Sequence, residues 1–267
     1  MSAPRRIALV TGASEGLGAE FARLFAVRGH DLALVARRAE RLEALADEIA
    51  ATGRPRPIVI AADLARPEAS AELVAAVRAA GAQVEYLVNN AGYGVNGAFA
   101  DAPLAGQTGM IDLNVRALTA LAHAFVPDLK ATRGGMLNVA SVAAFAPGPG
   151  MAVYYASKAY VLSFSEALWQ ELRADGVRVT ALCPGPVLTG FQQRAGMDLK
   201  TFAVPPGVAG ARETVEAGYA GLMAGRRVAT PGLANRALVA ALAWIPHGFS
   251  LPRLAARQAK RAGAGEI

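Results

Sequence analysis

The chain has 267 residues, 54% hydrophobic and 18% charged, which excludes a disordered polymer and supplies one large core, alone or with an appendage. One Cys excludes an intramolecular disulfide scaffold, and His30, His123, His247 and Cys183 stand at no zinc spacing, so no metal is expected. Net charge is +6, and from Arg226 onward seven cations face one anion, so the whole excess lies in the last 42 residues.

The apolar run after Arg5-Arg6 covers only 7–10, too short for a signal peptide. No stretch reaches the roughly 18 apolar residues of a membrane span. The expectation is a soluble, cytoplasmic protein.

The first strand, 7–10, runs into Thr11-Gly12-Ala13-Ser14-Glu15-Gly16-Leu17-Gly18, where a helix over 16–28 opens. Strand, Gly-rich turn and helix together aim free backbone N–H groups and a positive helix end at a pyrophosphate. Gly12 to Gly16 also fits the G-x-S-x-G nucleophile elbow. A first strand leaves no earlier strand to build an oxyanion hole, and only His247 follows late enough, so the hydrolase reading is set aside.

A second strand, 31–35, ends in Ala36-Arg37-Arg38, where an NAD site would carry an acid for the ribose. Two cations at a helix start oppose its dipole, and such a local conflict points to function. Arg37, with Arg38 and Ser14, is expected to pair with a 2′-phosphate, so the expected cofactor is NADP. The alternative is two solvated arginines.

A helix over 39–52 and a strand over 58–61 lead to Asp63-Leu64, placed to meet adenine. A helix over 67–80 follows Arg66-Pro67-Glu68, a start signal, as Gly29 and Gly53 are stop signals. The strand 84–88 ends in Asn89-Asn90-Ala91-Gly92, where Asn ties strands together and Gly permits close approach. The helix 107–132 carries Asn114, a poor helix former, expected to hold a water that links Lys158 to solvent.

A strand over 136–140 ends at Ser141, and a helix over 153–174 begins with Tyr154 and Lys158, four apart on one face. With six Tyr and four Lys in the chain, that spacing alone decides little, but this Lys sits beside Ala156, Ala159 and Val161. A free phenol has a pKa of about 10. One cation at about 4 Å in an effective dielectric near 20 supplies roughly the 4 kcal/mol that a three-unit drop needs. Lys158 and a positive nicotinamide ring would thus make Tyr154 a working acid/base, with Ser141 donating to the substrate oxygen.

After a strand over 177–182 the alternation breaks. Residues 187–206 form an expected lid with Phe191, Met197, Phe202 and Val204; these, with the apolar stretch after Ser141, suit an apolar carbonyl or alcohol substrate. Arg194 is the one cation near that space. A helix over 207–224, a strand over 227–229, an apolar helix over 234–245 and a basic helix from about 250 complete the chain. Alternating strands and helices with wholly apolar strands define an α/β fold: a Rossmann-like doubly wound parallel sheet covered on both faces.

Residues 1–230 are expected to form the dinucleotide-binding and catalytic domain, and 231–267 a basic helical extension. A homo-oligomer is expected, and no nucleic-acid partner. The tail, with Leu238, Leu242, Trp244 and Ile245, either contacts an anionic membrane surface or packs on the protein or a second subunit.

Together these residues resemble the short-chain dehydrogenase/reductase family over most of 5–230. The resemblance rests on Thr11-Gly12…Gly16-Leu17-Gly18, Asp63, Asn89-Asn90-Ala91-Gly92, Asn114, Ser141, Tyr154, Lys158 and Pro184-Gly185-Pro186-Val187-Leu188-Thr189. It implies that Asn114, Ser141, Tyr154 and Lys158 are the catalytic set and that Val187 and Thr189 meet the nicotinamide carboxamide. One departure is Glu15, where many NADP members carry a basic residue. Ala36-Arg37-Arg38 and the basic tail look like the subgroup with long-chain 3-ketoacyl and steroid-type reductases. The alternative function is a dinucleotide-binding sensor or scaffold without turnover.

Overall fold

Side chains along the first strand, β1 (Arg5–Thr11), alternate between two cores, Ile7 and Leu9 on one face and Ala8 and Val10 on the other. A strand buried on both faces must be apolar at every position, which explains the unbroken run. The computed structural model describes residues 4–187, 195, 209–242, 244, 251–252 and 255–256. Over these, β1 is joined by β2 (Asp31–Ala36), β3 (Ile58–Ala61), β4 (Ala82–Asn89), β5 (Gly135–Val139), β6 (Arg178–Leu182) and β7 (Val228–Ala229). They form one parallel sheet in the order β3-β2-β1-β4-β5-β6-β7.

One face carries α1 (Gly16–Val27), α2 (Ala39–Ala51) and α7 (Ala211–Met223), which bury Phe21, Phe25, Leu42, Ile49 and Leu222. The other carries α3 (Ala69–Ala79), α5 (Leu118–Thr132) and α6 (Ala152–Glu171), with Leu73, Leu121 and Phe125 in its core. The doubly wound parallel sheet is the one the sequence predicts.

The predicted helix 107–132 differs in a way that matters. It runs as α4 (Leu104–Ile111), a π-helical turn (Asp112–Ala117) and α5. The widened turn holds Asn114, in keeping with the placement of such bulges at functional sites. The predicted helix 153–174 ends earlier, at Glu171, and a 3₁₀ turn (Arg173–Asp175) leads into β6. The predicted helix 207–224 is described from Ala211, and 234–245 is α8 (Leu233–Leu242).

The chain winds outward from β1 to β3 and then crosses to β4 on the far side of β1. Connections after β1 and β4 leave in opposite directions, which opens a crevice at their carboxyl ends. Thr11 and Asn89, the last residues of the two strands, mark it.

Candidate active site

The Gly-rich turn is held against the end of β4 by a polar clamp. Thr11 Oγ1 accepts from the backbone N–H of Asn90 and of Ala91, both at 3.0 Å, and donates to the Val88 carbonyl at 3.3 Å. Asn90 Nδ2 donates to the Thr11 carbonyl at 2.9 Å. A Cβ on Gly12, whose φ is +67°, would lie 2.9 Å from the Ala91 Cα, and one on Gly18 would collide with the Gly12 carbonyl. Only glycine permits this approach.

Helix α1 opens there at Gly16 and Leu17. Glu15 precedes it without a side-chain cap, and its first turn holds no acid. The helix therefore presents free N–H groups and a positive end to the crevice, a cradle that fits a pyrophosphate.

At the end of β2, Arg38 Nη2 donates to Ser14 Oγ at 2.9 Å and pairs with Glu15 at 2.9 Å. Arg41 also pairs with Glu15, at 2.8 Å. Arg37, the first choice from sequence, lies exposed beside them. The structure thus puts Arg38, rather than Arg37, on Ser14. The Glu15 departure acquires a physical sense: its carboxylate is neutralised by two guanidiniums.

Asp63 Oδ1 accepts from the Ala65 N–H at 3.2 Å, and Leu64 is buried. Arg116 Nη2 donates to the Ala65 carbonyl at 2.6 Å while Arg116 Nε donates to Asp112 at 2.9 Å. The π-helical turn is thereby tied to the loop after β3.

The catalytic candidates meet at the ends of β4 and β5. Ser141 follows β5 in extended conformation, and its Oγ accepts from the Ala143 N–H at 3.1 Å as a 3₁₀ turn (Val142–Phe145) begins. Helix α6 aims Tyr154, Ser157 and Lys158 at this point, at i, i+3 and i+4. Ser141 hydrogen-bonds the Tyr154 phenol. Lys158 is 6% exposed, its Nζ donates to the Val139 carbonyl at 2.8 Å and lies 5.8 Å from the centre of the Tyr154 ring.

Burial pushes the Tyr154 phenol up to about 12, against the pull of the Ser141 hydrogen bond. Burial also pushes the Lys158 ammonium down to about 8. Among the protein's own groups the Ser141 hydrogen bond pulls the phenol down, and burial outweighs it. Cys183, fully buried behind the pair, is pushed up to about 12 by burial and stays a thiol.

Asn114 is fixed from three sides. Its Oδ1 accepts from the Tyr93 N–H at 3.1 Å, and its Nδ2 donates to the Tyr93 carbonyl at 3.0 Å and to Ser157 Oγ at 3.1 Å. A Cβ on Gly92 would lie 3.0 Å from Asn114 Oδ1 and 3.5 Å from Lys158 Nζ, so the three residues converge. Ser157 and Tyr93 carried no signal in the sequence; only their contacts show that they hold Asn114.

The segment after β6 closes the other wall. The Val142 N–H donates to the Pro184 carbonyl at 2.9 Å, Gly185 lies against Asn235, and Val187 is buried. Leu188 and Thr189, with the lid residues Phe191, Arg194, Met197, Phe202 and Val204, lie outside the described residues. Ala195 is described, and its carbonyl accepts from the Asn96 N–H at 3.0 Å.

A dinucleotide cradle at the switch point and a Ser-Tyr-Lys cluster around the buried Lys158 beside it define a nicotinamide-dependent oxidoreductase. A family model described as short chain dehydrogenase matches residues 6–200, and the chain belongs to that family. Sulfoacetaldehyde reductase 2 of Chromohalobacter salexigens is 40% identical over 188 residues, 69% of this chain and 74% of that protein. A short-chain dehydrogenase from Sphingobium yanoikuyae in complex with NADPH is 37% identical with a TM-score of 0.79, over 92% of this chain and 95% of that one. A bulky-bulky ketone specific alcohol dehydrogenase from Comamonas testosteroni is 31% identical with a TM-score of 0.74, over 94% of this chain and 99% of that one.

Proposed function

We propose that the chain reduces uncharged, apolar ketones or aldehydes, or oxidises the matching alcohols, with NADP(H) as the hydride carrier. The convergence of Ser141 and Tyr154 with the buried Lys158 and Asn114 at the crevice carries this reading. A protein that only binds the dinucleotide has no use for a desolvated lysine beside a desolvated phenol.

Tyr154 is the proton donor to the carbonyl oxygen, and Ser141 hydrogen-bonds the same oxygen. Asn114, held by Tyr93 and Ser157, stands next to Lys158 and keeps a polar route open on its far side. When bound, the dinucleotide supplies the hydride and, in its oxidised form, a positive ring. That charge, together with Lys158, opposes the burial that holds the phenol near 12.

The choice of NADP rests on Arg38, Ser14 and Arg37, with no acid in Ala36-Arg37-Arg38 to take a ribose hydroxyl and with the nearby Glu15 carboxylate already paired by Arg38 and Arg41. The NADPH-bound relative supports it. The choice of an uncharged substrate rests on the walls: residues 90–100, 142–156 and 183–187 contain no charged side chain. Ala143 and Met151 are buried in the second of these segments. A sulfonate of the kind named for the Chromohalobacter relative would find no cation in those walls. The name of the Comamonas enzyme agrees better with them.

Residues 1–230 are proposed to be the catalytic unit and 231–267 an extension of it. A homo-oligomer is proposed through the side that exposes Phe99, Leu104, Ile111 and Tyr160. The test is a panel of carbonyl compounds with NADPH and NADH. Bulky apolar ketones with NADPH should give the highest kcat/KM; a preference for short anionic aldehydes would overturn the substrate reading, and equal use of NADH the cofactor reading.

A further inference from the structure

Helix α8 turns Asn235, flanked by the half-buried Val239 and Leu242, toward the protein and leaves apolar side chains on its outer side. Its inward side carries Asn235, 3% exposed, whose Nδ2 donates to the Pro231 carbonyl at 2.8 Å and whose amide lies against Gly185. Its outward side carries Leu233 at 78% exposure, Leu238 at 42% and, just past its end, Trp244 at 87%. At 100° per residue Leu233 and Leu238, with the exposed Ala234, Ala237 and Ala241, form one continuous face, and Trp244 is exposed beyond the helix end. Arg236, also exposed, sits at its edge. Single exposed apolar residues need no explanation, but a contiguous apolar face opposite a buried amide does.

We propose that α8 docks on an anionic lipid surface, lying in the interface with Leu233, Leu238 and Trp244 in the headgroup region. Charge decides between a bilayer and a second copy. The whole net charge of +6 lies from Arg226 onward, in the stretch that contains α8. Two such segments face to face would repel, whereas an anionic bilayer attracts each of them. An amphipathic helix with a Trp, in a cation-rich stretch of sequence, is the pattern of an interfacial segment. Each cation brought to such a surface raises binding roughly fivefold. Among the described residues no helix is long and apolar enough to cross a membrane, so the contact lies on the surface. Helix α8 also packs beside the Val142–Phe145 turn that follows Ser141. Docking would bring the mouth of the site to the layer in which apolar carbonyl compounds dissolve.

The experiment is sedimentation of the full chain with phosphatidylcholine vesicles, with and without phosphatidylglycerol, at low and high salt. The companion is the double variant Leu238→Asp, Trp244→Asp, in which both changes fall on exposed positions. Ketone turnover in solution should be unchanged in the variant, which reports that it folds. The full chain should sediment with the phosphatidylglycerol vesicles at low salt, and at least about tenfold less in high salt or in the variant. Emission of Trp244 should shift to the blue on binding, while Trp169, whose indole N–H already donates to Gly225 at 2.8 Å, stays as it is. Failure to sediment at low salt, or equal sedimentation of the variant, overturns the proposal. So does a variant that only breaks an oligomer, which would show that a second copy covers α8. Because turnover is read separately, loss of docking is distinct from loss of the proposed activity.

Discussion

The two ends of the crevice are built on opposite physical terms. At one end Lys158 is buried and Tyr154 half-buried, and desolvation moves both pKa values toward the neutral forms. At the other, Glu15 forms ion pairs with Arg38 and Arg41, and Arg38 donates to Ser14, with Arg41 about half-exposed. In a desolvated cluster each group depends on its neighbours, so its loss should be drastic and insensitive to salt. Exposed ion pairs are weak and screened, so changes there should grade a preference rather than abolish a reaction.

The largest contrast should come from Tyr154→Phe. Turnover should fall by about 10²-fold or more, the range for a lost general acid, while dinucleotide affinity by fluorescence titration stays within about twofold. A variant that keeps a tenth of kcat would break the assignment. Ser141→Ala should follow, losing roughly 10² in kcat as one donor to the developing oxyanion disappears.

Arg38→Ala should raise KM for NADPH by roughly 10- to 100-fold, the worth of a charge-assisted phosphate contact, and leave KM for NADH almost unchanged. Arg37→Ala should act in the same direction and less strongly, since Arg37 lies exposed. Equal effects on both cofactors would remove the cation cluster from the 2′-phosphate.

Lys158→Met sharpens the comparison through stability. The native Lys158 titrates near 8, below its ordinary 10.5, so the unfolded chain binds the extra proton more tightly. Its destabilising effect is therefore complete below about 8 and fades as pH rises through 10.5. The variant should be inactive yet more resistant to urea than the parent at pH 7, with the gap closing above pH 10. A gap independent of pH would mean that Lys158 is not desolvated.

The smallest effect belongs to Glu15→Gln. Releasing Arg38 and Arg41 from the carboxylate should lower KM for NADPH by less than about tenfold, and added salt should erase the difference. A rise in KM would show that Glu15 positions the arginines rather than competing for them.

Much of this arrangement was legible in the sequence because short-range chemistry dictates it. Apolar runs, the Gly-rich turn and the Tyr154–Lys158 spacing each report local geometry, and these elements lie where the sequence puts them. What escaped depends on contacts between distant segments. The π-helical turn at Asn114 leaves no periodic trace. Its partners Tyr93 and Ser157 are 21 and 43 residues away. Arg37 and Arg38 are indistinguishable in sequence, since only the path of the chain into α2 decides which one reaches Ser14. The direction of the Tyr154 shift depends on burial, which a sequence expresses weakly. Leu238 and Trp244, read as part of an amphipathic tail that packs or docks, prove exposed, and Leu242 is half-buried.

The account turns on the claim that the phenol, held near 12 by burial, is brought into the working range only with the bound dinucleotide and Lys158. The direct test is the pH profile of alcohol oxidation at saturating NADP, because this direction needs the phenolate and its rate must rise with pH. The rise should be centred below the ordinary phenol value of about 10. It should move upward in any Lys variant with residual activity, such as Lys158→Arg, and vanish in Tyr154→Phe. A profile centred above 10, or one that survives in Tyr154→Phe, would contradict the claim.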